Sequence, residues 1–112
     1  MNDKAEFAHF ASLDIRVGTV KSARQFDEAR KPAYQLEIDF GEELGIKRSS
    51  AQITDLYAPS ELIGKQVVAV VNIGHRRIAG FVSEVLVLGA MTGDGVVLLR
   101  PDSEVQNGTV IA

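Results

Sequence analysis

Residues 34–40 alternate without a break: Tyr34, Leu36, Ile38 and Phe40 are apolar, and Gln35, Glu37 and Asp39 between them are polar. A period of two sends successive side chains to opposite faces of an extended chain, so this segment reads as a strand with one buried face and one wet face. Such a strand needs partners and a second layer, or a sheet curled on itself, to cover its apolar side. Upstream, Leu13, Ile15 and Val17 alternate with Asp14, Arg16 and Gly18, and the apolar phase then slips to Val20. That slip puts an expected bulge at Gly18-Thr19, and a long first strand that bends is how small barrels close.

The remaining segments extend the same pattern. Residues 24–32 are polar and form a loop, and Gly41-Glu42-Glu43-Leu44-Gly45 turns the chain into a third strand at 46–53, whose small Ser49, Ser50 and Ala51 suggest tight packing or a binding face. Residues 54–63 have a cap, short helical character and Pro59 as a breaker. The nearly continuous apolar run at 66–73 reads as a strand covered on both faces; after a loop at 74–80, residues 83–88 and 96–99 supply further strands. Residues 2–10 read as a short helix capped by Asn2 or Asp3, with Phe7 and Phe10 on one face. Turns at Pro101-Asp102 and Asn107-Gly108 lead to an apolar end, Val110-Ile111, able to pair with a preceding segment. The expected fold is therefore all-β: a five-stranded oligonucleotide-binding (OB) barrel, with a short helix between strands 3 and 4 and an N-terminal helical segment.

Composition narrows the chemistry. At 112 residues the chain fits one domain, 1–112. No apolar run reaches bilayer length, so no membrane insertion is expected. The absence of cysteine removes disulfides, thiolate nucleophiles and sulfur-ligated metals. Acids among the first residues, where a secretory signal is basic and apolar, make the cytoplasm the expected location. His9 and His75 lie far apart with no carboxylate pattern around them, Glu42-Glu43 reads as a solvated turn, and the glycine-rich stretch at 89–95 lacks the Lys-Ser/Thr ending of a phosphate loop. The chain is expected to be no enzyme, with no catalytic residues, no metal and no cofactor.

A formal net charge of −3 argues against a protein that coats nucleic acid by charge alone. The charge is uneven, however. Residues 46–80 contain Lys47, Arg48, Lys65, Arg76 and Arg77 against Asp55 and Glu61, and the flanking stretches are acidic. An OB barrel usually binds across its second and third strands, bordered by the first hairpin loop and the loop between strands four and five. Here those loops carry Arg24, Arg30 and Lys31, and His75, Arg76 and Arg77. The outward positions of the second strand are Gln35, Glu37 and Asp39, not stacking aromatics, so recognition of a folded RNA by shape and phosphate contact fits better than generic single-strand binding.

Ser49-Ser50-Ala51-Gln52-Ile53 and the stretch from Asn72-Ile73-Gly74-His75-Arg76-Arg77 through Ser83-Glu84-Val85-Leu86 resemble the tRNA-binding domain family, most closely its CsaA secretion-chaperone branch. Leu13-Asp14-Ile15-Arg16-Val17-Gly18 and Val96-Val97-Leu98-Leu99-Arg100-Pro101-Asp102 fit as well, so the resemblance covers essentially the whole chain. It implies a homodimer joined through extensions at 1–11 and 101–112, with Phe7, Phe10, Val110 and Ile111 at the interface. Its loop-and-strand motif implies RNA contacts from Asn72, Arg76, Ser83 and Glu84, although Glu84 stands where many members carry Gln and a carboxylate cannot donate to phosphate; the local basic charge adds Lys47, Arg48 and Arg77, with Ser49 beside them, to the expected RNA site. The CsaA branch implies binding of unfolded or pre-secretory polypeptides, with tRNA binding as the alternative and an adaptor dimer as a third reading.

Overall fold

The computed structural model describes residues 3–112, so the expected cap Asn2 lies outside it. The elements run α1 (Phe7–Ala11), β1 (Ile15–Gln25), β2 (Tyr34–Asp39), β3 (Ile46–Ala51), α2 (Pro59–Leu62), β4 (Gln66–Val70), β5 (Arg76–Ile78), β6 (Phe81–Ser83), β7 (Leu86–Val87), β8 (Gly89–Thr92), β9 (Gly95–Leu98) and β10 (Val110–Ile111). The main sheet follows the order β3-β2-β1-β4-β7, and β10 adds to β1. With α2 between β3 and β4, this is the expected five-stranded OB-like barrel, the broken β6–β7 segment taking the fifth position.

Period-two reasoning places the core correctly. Tyr34, Leu36, Ile38 and Phe40 are all at most 6% exposed and meet Val20, Ala51, Ile53, Leu62, Val67, Ala69 and Val85 inside the barrel. Each large side chain so buried contributes roughly 1.5–3 kcal/mol. The apparent slip in β1 has a different origin from a bulge at Gly18. Ile15 and Val17 face outward, where Val68, Val70, Leu88, Val105 and Ile111 cover them in a second cluster, and Gly18 and Val20 face inward. The alternation itself continues; what changes is which face is buried. The irregularity lies further on, between Val20 and Ser22, where Lys21 is the extra residue opposite β2.

Gly18 is required by its neighbours: a Cβ there would sit 2.7 Å from both Ile38 Cγ2 and Phe40 Cδ1. The tail is tied down by pairing Ile111 with Ile15, and by Arg16, which donates to the Gly108 carbonyl at 3.1 Å. A hydrogen bond to Asp14 at 2.6 Å holds the Arg16 guanidinium in its charged form and above its ordinary pKa.

Three local expectations need correction. α1 begins at Phe7, after a non-helical and exposed segment at 3–6, and has no side-chain cap. Pro59 opens α2 instead of breaking it: a first helical position needs no N–H, and its fixed φ suits the turn. Finally, the stretch at 74–80 is not all loop, because β5 and β6 form a hairpin across Ala79 and Gly80, with φ of 46° and 83°. Two consecutive positive φ angles match the twist of paired strands.

Candidate functional site

The residues at 48–50 and 83–85 come together, as an edge of the barrel rather than as a free surface. Between β3 and the β6–β7 segment the ladder gives way to side-chain bonds. Ser50 N–H donates to Ser83 Oγ at 3.0 Å, Arg48 N–H donates to Glu84 Oε1 at 3.0 Å, and Ser49 Oγ donates to the Val85 carbonyl at 3.2 Å. One backbone bond, Glu84 N–H to the Arg48 carbonyl at 2.8 Å, completes the seam. Ser49 and Ser83 are 1% and 8% exposed, and their hydroxyls are bonded within the seam. Ser83→Ala is expected to lower unfolding free energy by about 1–3 kcal/mol by orphaning the Ser50 N–H. Ser50→Ala, whose hydroxyl is not used in the seam, should stay within roughly 0.5 kcal/mol. Equilibrium urea unfolding of the two variants checks this.

Beyond the seam the cations gather. Arg30 and Lys31, from the loop between β1 and β2, line one open groove of about 510 Å³ together with Arg76 from β5, facing only one acid, Glu28. Arg30 and Lys31 of one basic cluster and Arg76 of the other, far apart in the chain, therefore line one groove. Ile78, Ala79 and Ala33 give it an apolar floor, and Gln52 adds a polar group. Arg77 alternates with Arg76 on β5 and is also exposed, and His75 is exposed just before them. Lys47, half-buried on β3, does not line this groove.

Sequence reasoning missed Phe81. This residue, half-buried at the start of β6, packs against the buried Phe26 with ring centroids 5.4 Å apart. The Arg48 guanidinium lies 5.2 Å from the centre of the Phe81 ring, and its Nε is 4.0 Å from Glu84 Oε1. The hairpin thus brings an aromatic ring to the outer face of a sheet whose own outward residues are polar. The one available sequence signal was Gly80, which permits the tight turn.

Asn72 sits apart from this cluster. Its Oδ1 accepts from the Asp14 N–H and its Nδ2 donates to the Ser12 carbonyl, each at 2.8 Å, which clamps the segment after α1 to the end of β4. Phe7 and Phe10, 79% and 45% exposed with rings 6.3 Å apart, project from that arm. Val110 is exposed, and Ile111 packs on the outer cluster of its own chain. Among the described residues no group of three or more His, Asp or Glu side chains is placed to hold a metal ion, and no helix is long and apolar enough to cross a membrane.

A small OB-type barrel with Arg30, Lys31 and Arg76 lining one groove is the class of protein that this fold and surface define. The chain belongs to the family described as the putative tRNA binding domain, whose model matches residues 15–110. It is similar over nearly its full length to two solved chaperones. Against the chaperone CsaA of Bacillus anthracis str. Ames the identity is 58%, covering 98% of this chain and 100% of that one with a TM-score of 0.92. Against the CsaA chaperone protein of Picrophilus torridus the identity is 53%, covering 97% and 100% with a TM-score of 0.93. Among curated relatives, a methionine--tRNA ligase of Methanococcoides burtonii is 36% identical over 110 residues, which is 97% of this chain and 16% of that enzyme. The chain therefore spans about a sixth of the length of such relatives, and the family's domain is a binding domain that also occurs as part of an enzyme.

Proposed function

We propose that this chain is a polypeptide-binding chaperone rather than a catalyst, acting as a homodimer on unfolded or export-destined proteins before they cross the membrane, and hence in the cytoplasm. The observation that carries this reading is the likeness to proteins described as chaperones, at 58% identity across essentially both chains. Exposed apolar side chains support the homodimer: Phe7, Phe10 and Leu13 on the N-terminal arm, and Val110 in the tail, are each at least 44% exposed in the single chain. In this reading the whole of 1–112 is one domain, and the extensions at 1–11 and 101–112, through Phe7, Phe10, Val110 and Ile111, join the two subunits. The Asn72 clamp then serves assembly by fixing the arm that carries the phenylalanines.

The expected result is a particle of twice the chain mass that keeps an unfolded client from aggregating. Mass measured by light scattering, with turbidity of a heat-denatured client, tests both parts. A monomer that leaves aggregation unchanged rules the reading out.

A second reading, tRNA binding, is favoured by a specific observation: Arg30, Lys31 and Arg76 converge on one groove in a chain whose family is described by tRNA binding. Phosphate contact by placed cations supplies most of the affinity for folded RNA. Under this reading Arg77, exposed beside Arg76 on β5, adds charge next to the groove, Arg48 and Lys47 extend the contact along β3 outside its lining, Ser49, Ser83 and Glu84 hold the seam, and Asn72 fixes the arm apart from it.

A further inference from the structure

The outward face of β1–β3 carries a second, smaller cleft, of about 140 Å³, whose lining includes Arg24, Gln35, Glu37, Arg48 and Phe81. It is well below the size of a drug-like pocket and suits one flat ring system better than a chain. We propose that this cleft is a nucleobase subsite that takes a guanine, stacked against the Arg48–Phe81 pair and read along its pairing edge by Glu37 and Gln35. The proposal rests on the RNA-binding reading and names the part of the RNA that the barrel selects.

The stacking element is held in place before any ligand arrives. Phe81 is backed by Phe26, and the Arg48 guanidinium lies 5.2 Å from the ring centre, with Glu84 Oε1 4.0 Å from its Nε. The Arg48 side chain remains 45% exposed, so a base can reach it. Planar guanidinium groups and aromatic rings are the surfaces on which unpaired bases stack. This also gives Glu84 a use that requires no donation to phosphate: it positions Arg48.

Strand register supplies the edge-reading groups. Gln35 lies opposite Arg24, and Glu37 lies between Ser22 on one side and Arg48 on the other. Ser22 Oγ donates to Glu37 Oε1 at 2.6 Å, which orients the carboxylate and leaves its second oxygen to accept. A carboxylate only accepts, so it selects a base that offers donors. Guanine presents N1–H and its amino group side by side, whereas uracil flanks its single N–H with two carbonyls that oppose a carboxylate. Arg24 in the same cleft supplies a cation for the flanking phosphate.

The test uses the full chain and two fluorescent RNA hexamers, one all uridine and one with a single central guanosine, alongside folded tRNA. The guanosine hexamer is expected to bind roughly tenfold tighter, in line with one good two-point base contact. Glu37→Gln, at an exposed position that leaves the core intact, should abolish that preference and keep uridine binding, and Arg48→Lys, which keeps the charge but not the plane, should abolish it as well. Displacement of the hexamer by GMP, or only by longer RNA, distinguishes a nucleotide that suffices alone from one that needs flanking phosphates; either supports the subsite. Equal affinity for the two hexamers, or a preference that survives Glu37→Gln, overturns it. Intact tRNA binding in that event leaves the RNA reading standing, and loss of all RNA binding removes both.

Discussion

Phe40→Ala is expected to lower the unfolding free energy by about 3–5 kcal/mol, a large share of what a domain of this size has. The ring is 1% exposed at the end of β2, in the part of the barrel where β1 contributes no side chain because it has Gly18. Removing the ring leaves a void that the stiff β1–β2 ladder cannot close, so the cavity cost adds to the lost transfer energy. The complementary change is Gly18→Ala, whose added carbon sits 2.7 Å from the Phe40 ring and the Ile38 side chain and should cost about 1–3 kcal/mol by overpacking. Since both act on the same space, Gly18→Ala combined with Phe40→Leu should cost less than the sum of the two single changes. Equilibrium urea unfolding, read by circular dichroism and by tyrosine fluorescence, measures the cycle. Strict additivity would mean that the two positions do not share a cavity.

The second large effect concerns the cationic groove. Replacing Arg30, Lys31 and Arg76 together with glutamine should weaken tRNA binding roughly 100-fold at low salt, taking about 1 kcal/mol for each exposed contact. The more diagnostic quantity is the salt dependence, because each neutralised phosphate releases counterions. The slope of log affinity against log salt should fall by roughly 2–3 for the triple variant. An unchanged slope would remove the groove as the phosphate surface. Client aggregation measured on the same variant tells whether the two ligands share that surface: retained suppression assigns polypeptide to another face, and parallel loss assigns both to this one.

Much of the fold was legible because it rests on one physical rule. Tyr34, Leu36, Ile38 and Phe40 had to share a face, and the position of α2 between the third and fourth strands gave the barrel order. β1 was misread at Gly18 for the same reason that β2 was read well: periodicity reports burial, and Ile15 and Val17 are buried on the outer side by a tail that arrives some ninety residues later. The hairpin of β5 and β6 escaped notice because Arg76 and Arg77 look like loop residues and Ala79 is an unusual residue at positive φ.

The site was legible in parts. Two basic clusters were visible, but the groove that unites Arg30, Lys31 and Arg76 depends on long-range packing that no spacing encodes. Ser49, Ser83 and Glu84 were singled out as contact residues, whereas their hydrogen bonds go to the seam. Phe81 could not be assigned to the sheet face from sequence, since only the folded hairpin carries it there.

That seam sets the barrel apart from one closed entirely by backbone pairing. A ladder of N–H and C=O groups is indifferent to most side chains, so it survives substitution. Where Ser50 leans on Ser83 and Arg48 on Glu84, closure depends on the identity of particular residues and can be loosened or tightened one atom at a time without disturbing the core. The same line bears the Arg48–Phe81 pair, so the stiffness of the barrel and the shape of its outer face are set by a single short stretch of side chains. The closing edge is the place where this fold can change what it holds while remaining the same barrel.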